Sequence, residues 1–215
     1  MTDQDILSRV DHTLLKAAAS WGEIKTLCDE AVCYKTASVC IPPAYVRPVF
    51  AEYGKNLVIC TVIGFPLGYF CTAAKALETE AALKDGASEI DMVINIGDVK
   101  NCRFNTVLGE IYIVKNICNE KILKVIVETC YLTEEEKVYL CGIVTEAGAD
   151  YIKTSTGFGT SGAAIADVEL FTRHIGPDVK IKAAGGIKTR EDMIAFINAG
   201  ASRIGTSSAV KALLT

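Results

Sequence analysis

The amino-acid sequence predicts an α/β fold, a single (β/α)8 TIM barrel with a helical segment at its N-terminus, formed by residues 1–215 as one domain. Eight short runs rich in β-branched residues alternate with segments of helical spacing, which is typical of parallel strands joined by crossover helices. Eight such units in 215 residues also suit a compact barrel of this kind. The predicted strands are Arg9–Leu14, Ala37–Ile41, Leu57–Ile63, Glu89–Asn95, Leu123–Glu128, Tyr151–Thr154, Val179–Ala184 and Ser202–Thr206.

The helical segments carry their own start and stop signals. One begins with Thr133 and Glu136 and another with Thr189 and Asp192, and both pairs have the spacing of a capping box. The helices are predicted to stop at glycines, which end a helix without a Cβ clash. These glycines are Gly86, Gly148 and Gly200.

The same three glycines open a weak internal repeat, Gly-Ala-x-x-Ile-z, at three junctions between a helix and a strand. The isoleucine should face the surrounding helices. Because side chains alternate along a strand, the next residue must then face the barrel interior. These inward residues are Asp91, Lys153 and Gly205. The repeat therefore places a carboxylate, an amine and, at the glycine, an open space inside the same barrel.

Composition narrows the class of protein. Half of the residues are hydrophobic and 22% are charged, so a large core is feasible. The formal net charge of −4 argues against nucleic acid or an anionic membrane as the main partner. We see no signal peptide and no stretch long enough to span a bilayer. The nine cysteines, with no Cys-x-x-Cys, are interpreted as buried small hydrophobes in a cytoplasmic protein.

Two lysines occupy strand positions where an ammonium group is costly. Lys153 and Lys182 lie near the C-terminal ends of consecutive predicted strands, where barrel active sites lie. An isolated lysine has a pKa of roughly 10.4. A like charge at about 4 Å, in an effective dielectric of about 20, supplies roughly 4 kcal/mol against that protonation. A lysine pair can therefore leave one amine neutral and nucleophilic, with Asp91 as a general acid or base.

The alternative interpretation of Lys153 is an edge residue or a salt-bridge partner. Lys180 serves as a comparison, because it lies earlier in the same strand as Lys182 and is predicted to be solvated at the opposite mouth.

Small, flexible turns follow the last predicted strands. Gly185 and Gly186 follow the seventh, and Ser207 and Ser208 follow the eighth, where these barrels commonly bind phosphate. The stretch 154–157 after the sixth strand could close the same pocket. Ordinary loop geometry is the alternative interpretation of each turn.

The sequence gives little support for a metal site or for a nucleotide-binding site. The two histidines, His12 and His174, do not make a zinc site, and His174 is predicted to be solvated. The sequence has no dinucleotide fingerprint and no Walker-type loop. We therefore expect no metal and no cofactor.

Seven motifs together resemble the deoxyribose-phosphate aldolase family in its short form. They are "DHTLLK", "VIGFPLG", "EIDMVINIG", "LKVIVETCYLT", "YIKTSTGFGTSGA", "KAAGGIKT" and "AGASRIGTSS", and they run from about Asp11 to Ser208. The resemblance implies a class I aldolase, without metal or cofactor, that cleaves 2-deoxy-D-ribose 5-phosphate to D-glyceraldehyde 3-phosphate and acetaldehyde in deoxyribose catabolism. It also implies a cytoplasmic homo-oligomer.

The resemblance also assigns roles to residues. Lys153 would form the imine, Lys182 would keep that amine unprotonated and join proton transfer, and Asp91 would be the other proton-transfer residue. The substrate-binding positions that it implies are Asp11 and Thr13 near the sugar hydroxyls, and Thr154, Gly157, Gly185, Gly186, Gly205, Ser207 and Ser208 around the phosphate.

Two departures from longer members stand out. Those members carry a phosphate-holding lysine where this chain has Phe158, so the phosphate is expected to depend more on backbone N–H groups. They also have a tyrosine-tipped C-terminal tail, for which no counterpart is expected here. Two other functions stay open at this point: a Schiff-base aldolase for another sugar phosphate, and an inactive barrel that only binds sugar phosphates.

Overall fold

A computed structural model describes residues 1–214, which form a closed barrel of eight parallel strands in chain order. The barrel closes because the first strand pairs with both the second and the eighth. The strands are β1 Val10–Thr13, β2 Ser38–Ile41, β3 Ile59–Ile63, β4 Glu89–Val93, β5 Ile122–Ile126, β6 Tyr151–Lys153, β7 Lys180–Ala184 and β8 Arg203–Thr206.

Helices connect each strand to the next and surround the barrel. They are α1 Asp3–Leu7, α2 Trp21–Tyr34, α3 Val46–Tyr53, α4 Thr72–Lys84, α5 Ile96–Lys100, α6 Phe104–Cys118, α7 Glu134–Glu146, α8 Ile165–His174, α9 Arg190–Asn198 and α10 Ala209–Leu214. Short 3-10 turns lie at Pro43–Tyr45, Gly54–Asn56 and Thr129–Tyr131.

The predicted (β/α)8 barrel is confirmed, and each predicted strand is present with ends that differ by at most two residues. The predicted N-terminal helical segment is α1, which precedes β1 and packs against α10. Of the range 1–215 predicted as one domain, Thr215 lies outside the described residues.

The predicted helix signals have the expected geometry. The Thr133 hydroxyl accepts the Glu136 backbone N–H at 3.2 Å, and the Thr189 hydroxyl accepts the Asp192 N–H at 3.1 Å. In each case the acidic side chain accepts the backbone N–H of the threonine in return, which completes a capping box. Gly148, with φ of 69°, ends α7 in the left-handed region that glycine adopts without strain.

Strand parity separates the core from the barrel interior as predicted. Ile90, Ile152 and Ile204 are fully buried in the main hydrophobic core, between the outer face of the barrel and the helices. The residues beside them point inward, so the interior receives charged side chains from several strands. This alternation follows from the period of two along a strand.

One prediction was wrong in part. Five cysteines are buried, but Cys33, Cys71 and Cys102 are exposed on the surface. Cys33 lies near the end of α2, Cys71 directly precedes α4, and Cys102 lies in the loop between α5 and α6. Among residues 1–214, no helix is long and apolar enough to cross a bilayer.

Candidate active site

The three residues predicted to carry the chemistry meet inside the barrel. Lys153 lies at the end of β6 and is directly opposite Lys182 in the β6–β7 register. Asp91, on β4, accepts hydrogen bonds at the same oxygen, Oδ2, from Lys153 Nζ at 2.7 Å and from Lys182 Nζ at 2.6 Å. The two amines therefore meet at one carboxylate oxygen, a sharing that was not predicted.

A third lysine, Lys124 on β5, belongs to the same arrangement and was not predicted. Its register partner is Asp91, and its Nζ donates to Asp91 Oδ1 at 2.9 Å. It also lies 2.6 Å from Glu89 Oε2. Lys124 sits in "ILKVI", an apolar strand in which a lysine is as anomalous as Lys153 is in its own strand. That anomaly was the signal that could have revealed it.

Asp11 lies deeper than its predicted role requires. It is fully buried, its Oδ2 is 2.5 Å from Lys182 Nζ, and its Oδ1 accepts a hydrogen bond from Arg203. Arg203 also pairs with Glu89 at 3.0 Å. Asp11 therefore lies beneath the lysines, and it does not line the pocket that the predicted substrate-binding residues surround.

That pocket, with a volume of about 230 Å³, opens at the C-terminal mouth of the barrel. Lys153 lines it, whereas Asp91 and Lys182 lie below its floor. The predicted substrate-binding residues on its wall are Thr13, Gly157, Gly185, Gly186, Gly205, Ser207 and Ser208. Thr154 is also absent from the wall. It is buried, and its hydroxyl binds the backbone of Ala184, so it joins the ends of β6 and β7.

The turns after β7 and β8 present backbone donors to this pocket. Within residues 1–214, the N–H groups of Gly186 and Ser207 have no hydrogen-bond acceptor. Gly185 has a φ of 86°, and a Cβ there would lie 3.0 Å from Gly162 Cα, so glycine is required for both reasons. Free N–H groups in such a turn are suited to an anion.

Cations also line the pocket. Lys16 and Lys188 form no salt bridge with any residue that the structure describes, in contrast to the lysines inside the barrel. Neither lysine was predicted as a site residue, although Lys188 lies two residues after the predicted glycine turn. Phe158 closes one side of the mouth and packs edge-on against Phe65, with ring centroids 5.3 Å apart.

Glu128, two residues after β5, holds the loop after β6. It is buried, and its carboxylate accepts the backbone N–H of Thr156 at 3.2 Å as well as the Thr156 hydroxyl. Since Thr156 lines the pocket, Glu128 fixes one wall without reaching it.

Gly205 leaves room for a neighbour. A Cβ at this position would lie 2.9 Å from Ala184 Cβ and 3.2 Å from Lys182 Cε. The open space predicted there is therefore occupied by the aliphatic part of Lys182, which needs it to reach both carboxylates.

Burial and ion pairing set the charge state of these groups. Burial disfavours the Lys182 ammonium, but the carboxylates of Asp11 and Asp91 more than offset this and raise its pKa above the ordinary value. The pKa of Lys124 is raised well above its ordinary value, because Asp91 and its other anionic neighbours likewise outweigh burial. The same cations hold the pKa of Asp91 well below its usual range, despite burial.

Two groups of buried side chains have metal-ligating atoms close together: Cys40, Cys60 and Asp91, and Asp11, Cys60 and Glu89. The ammonium of Lys124 lies among them, 3.3 Å from Cys60 Sγ and within 3.6 Å of all three carboxylates. A cation already neutralises these donors, so the arrangement does not suit a metal ion.

A lysine that lines a pocket at the C-terminal mouth of a (β/α)8 barrel and pairs with a buried carboxylate is typical of aldolases that act through an amine. The family described as DeoC/LacD family aldolase matches residues 5–210. The chain belongs to this family.

Several similar proteins are named deoxyribose-phosphate aldolase. The chain is 60% identical over 210 residues to a deoxyribose-phosphate aldolase of Clostridium botulinum, covering 98% of this chain and 95% of that one. It is 57% identical over 211 residues to one of Streptococcus pyogenes, with the same coverage. The tetrameric deoxyribose phosphate aldolase of Aeropyrum pernix superposes with a TM-score of 0.92 at 32% identity, over 99% of this chain and 91% of that one.

Proposed function

We propose that this chain is a class I aldolase that reversibly cleaves 2-deoxy-D-ribose 5-phosphate to D-glyceraldehyde 3-phosphate and acetaldehyde. Its relatives named deoxyribose-phosphate aldolase share 57–60% identity over nearly their full length. The observation that carries the proposal is the placement of Lys153. Among the three lysines that touch Asp91, it is the one that lines the pocket.

The amine of Lys153 attacks the C1 aldehyde of the open-chain sugar, and loss of water gives a protonated imine. A base takes the proton of the C3 hydroxyl, the C2–C3 bond breaks, and its electron pair moves to the imine nitrogen, which leaves an enamine. Glyceraldehyde 3-phosphate departs. Protonation of the enamine at C2 and addition of one water then release acetaldehyde and restore the amine.

Asp91 and Lys182 serve these proton transfers. Their hydrogen bond of 2.6 Å joins a buried carboxylate to a buried ammonium, and the same carboxylate oxygen contacts Lys153. A proton can therefore pass along this chain of contacts without bulk water.

The phosphate is bound by the turns after β7 and β8. Support comes from the free N–H groups of Gly186 and Ser207 and from the unpaired ammonium groups of Lys16 and Lys188. Two cations close to several backbone donors complement a phosphate dianion, even though Phe158 supplies no charge.

Reductive trapping tests the proposal. With deoxyribose 5-phosphate and borohydride, the chain should gain the mass of the reduced adduct, and peptide mapping should place it on Lys153. Lys153→Met should abolish the adduct and leave the circular dichroism spectrum intact. Lys180→Met is the matched control, since Lys180 is exposed at the opposite mouth and should not affect trapping. An adduct that persists in Lys153→Met would contradict the assignment.

The oligomeric state and compartment are also proposals. We propose a homo-oligomer, supported by the tetrameric relative from Aeropyrum pernix, which light scattering after gel filtration would test. A cytoplasmic location is supported by nine cysteines without a disulfide, which suit a reducing compartment. Residues 1–215 are proposed to act as one catalytic domain.

A further inference from the structure

Seven ionisable side chains fill the barrel beneath the pocket, and we call them the barrel charge cluster. They come from six different strands and meet near the barrel axis. The members are Asp11, Glu89, Asp91, Lys124, Lys153, Lys182 and Arg203.

The barrel charge cluster is almost fully shielded from solvent. The side chains of its carboxylates and lysines are at most 4% exposed, and that of Arg203 is 14% exposed at the bottom of the barrel. The ion pairs within the cluster are 3.6 Å long or shorter. Charges that are removed from water in this way are stable only when they are balanced by opposite charges.

The numbers of acids and bases do not match. The cluster contains four basic groups and three acidic ones, so full ionisation would leave one surplus positive charge in a buried space. Loss of one proton from a lysine removes that surplus.

The contacts identify which lysine loses it. Lys182 pairs with two carboxylates, Asp11 and Asp91, and Lys124 lies within 3.6 Å of three. Arg203 pairs with two and stays charged. Lys153 contacts only Asp91, whose Oδ2 it shares with Lys182. It has the weakest anionic support and is the lysine that borders the pocket.

Other titratable groups also face this space. The Cys60 thiol, on β3, donates to Asp91 Oδ1 at 3.1 Å, and burial raises its pKa. Cys40, on β2, has a lowered pKa because Cys60 hydrogen-bonds to it. Cys40 is therefore a competing site for loss of the surplus proton. Lys16 and Lys188 reach the pocket from loops after β1 and β7, where solvent screens them. Tyr151 lies near Arg203 and Lys180, at the far mouth.

We propose that Lys124 and Glu89, neither of which reaches the pocket, are positioning residues that set the proton count of the barrel charge cluster and so keep Lys153 neutral before substrate binds. This inference rests on the proposed function of Lys153. The proposed effect differs from simple repulsion between two lysines, because it depends on the difference between the numbers of basic and acidic groups in the whole cluster.

The test changes the numbers of acidic and basic groups in the cluster by mutation. It then measures how the trapping of Lys153 by cyanoborohydride and deoxyribose 5-phosphate depends on pH. Lys124→Met leaves three bases and three acids, so Lys153 retains its proton. The pH midpoint for trapping should rise by about one to two units, and the trapping rate at neutral pH should fall roughly ten- to hundredfold. Glu89→Gln makes the surplus larger, and its midpoint should not rise.

The double variant Lys124→Met/Glu89→Gln restores a surplus of one positive charge. Its midpoint should return toward that of the wild type, which a merely structural role of either residue would not produce. Circular dichroism establishes that each variant folds. If Lys124→Met does not fold, the double variant and Lys124→Gln provide the same comparison.

The outcomes separate this inference from the proposed function. If the wild type is trapped on Lys153 but the pH midpoint for trapping is the same in folded Lys124→Met, the proposed role of Lys124 is refuted and the proposed aldolase function is not. A wild type that is never trapped refutes the function itself. Cys40→Ala should leave the midpoint unchanged, and a shift there would assign the missing proton to Cys40 and overturn the inference.

Discussion

Replacing Asp91 with asparagine should both inactivate and destabilise the protein. Asp91 is the shared partner of the amino groups of three buried lysines, at 2.6, 2.7 and 2.9 Å, and two of these lysines, Lys124 and Lys182, carry ammonium groups. At about 2.7 Å and an effective dielectric of about 20, one such pair has a Coulomb energy of about 6 kcal/mol. Much of this offsets the desolvation of both ions, so breaking a buried pair typically costs about 3–5 kcal/mol. We expect a loss of that size for Asp91→Asn at neutral pH.

The pH dependence provides a stricter check. The pKa of Asp91 in the folded protein lies well below its ordinary value of 3.8. A carboxylate with a lowered pKa stabilises the fold fully above its unfolded pKa, and this contribution is lost as the pH falls toward the folded value. The difference between wild type and Asp91→Asn should therefore be constant from neutral pH to about 5. It should then shrink by about 1.4 kcal/mol per pH unit below about 4.

Guanidinium unfolding followed by circular dichroism, at pH 7 and at pH 3, measures both the loss of stability at neutral pH and its decrease in acid. The same titration on Asp178→Asn is the matched control, because Asp178 is an exposed aspartate near β7. A difference below about 1 kcal/mol at pH 7, or one that is equal at both pH values, would refute the reasoning.

Three further predictions concern the pocket and its floor. Lys182→Leu should move the acid limb of the pH–rate profile to higher pH and lower kcat/KM at pH 7 at least about tenfold, and an unchanged profile would remove the paired-lysine argument. Gly185→Ala should lower the free energy of unfolding by about 1–3 kcal/mol, because φ is 86° and Gly162 is close, and it should also raise KM. Calorimetry and kinetics measure the two effects, and Gly22→Ala is the control because a Cβ at Gly22 would meet open space. Phe158→Lys should lower KM for the phosphorylated sugar about threefold or more but not for deoxyribose, and equal effects on both would exclude a contact with phosphate.

Local signals predicted the fold and part of the site. The period of two along each strand and the Gly-Ala-x-x-Ile repeat correctly placed Asp91 and Lys153 on the inner face. Capping pairs such as Thr133 and Glu136 fixed the helix starts. These features depend on neighbours in sequence, so the sequence contains them directly.

The depth of a residue in the barrel depends on register around the closed sheet, which no local pattern encodes. Asp11 pairs with Gly205 across the closure, but its side chain contacts Lys182 and Arg203 inside the barrel and does not line the pocket. The sharing of Asp91 among Lys124, Lys153 and Lys182 likewise joins residues 33, 62 and 91 positions apart. Lys124 was missed because its contact with Asp91 joins two strands that no local pattern relates.

The absence of a side chain at Gly205 limits how this pocket can be redesigned. Any Cβ there would displace the methylene chain of Lys182, since only 3.2 Å separates them. Libraries that aim to admit bulkier aldehydes should therefore leave this floor position unchanged. Diversity is better tolerated at the rim, where Phe158 is 55% exposed and can be replaced without moving a charged group.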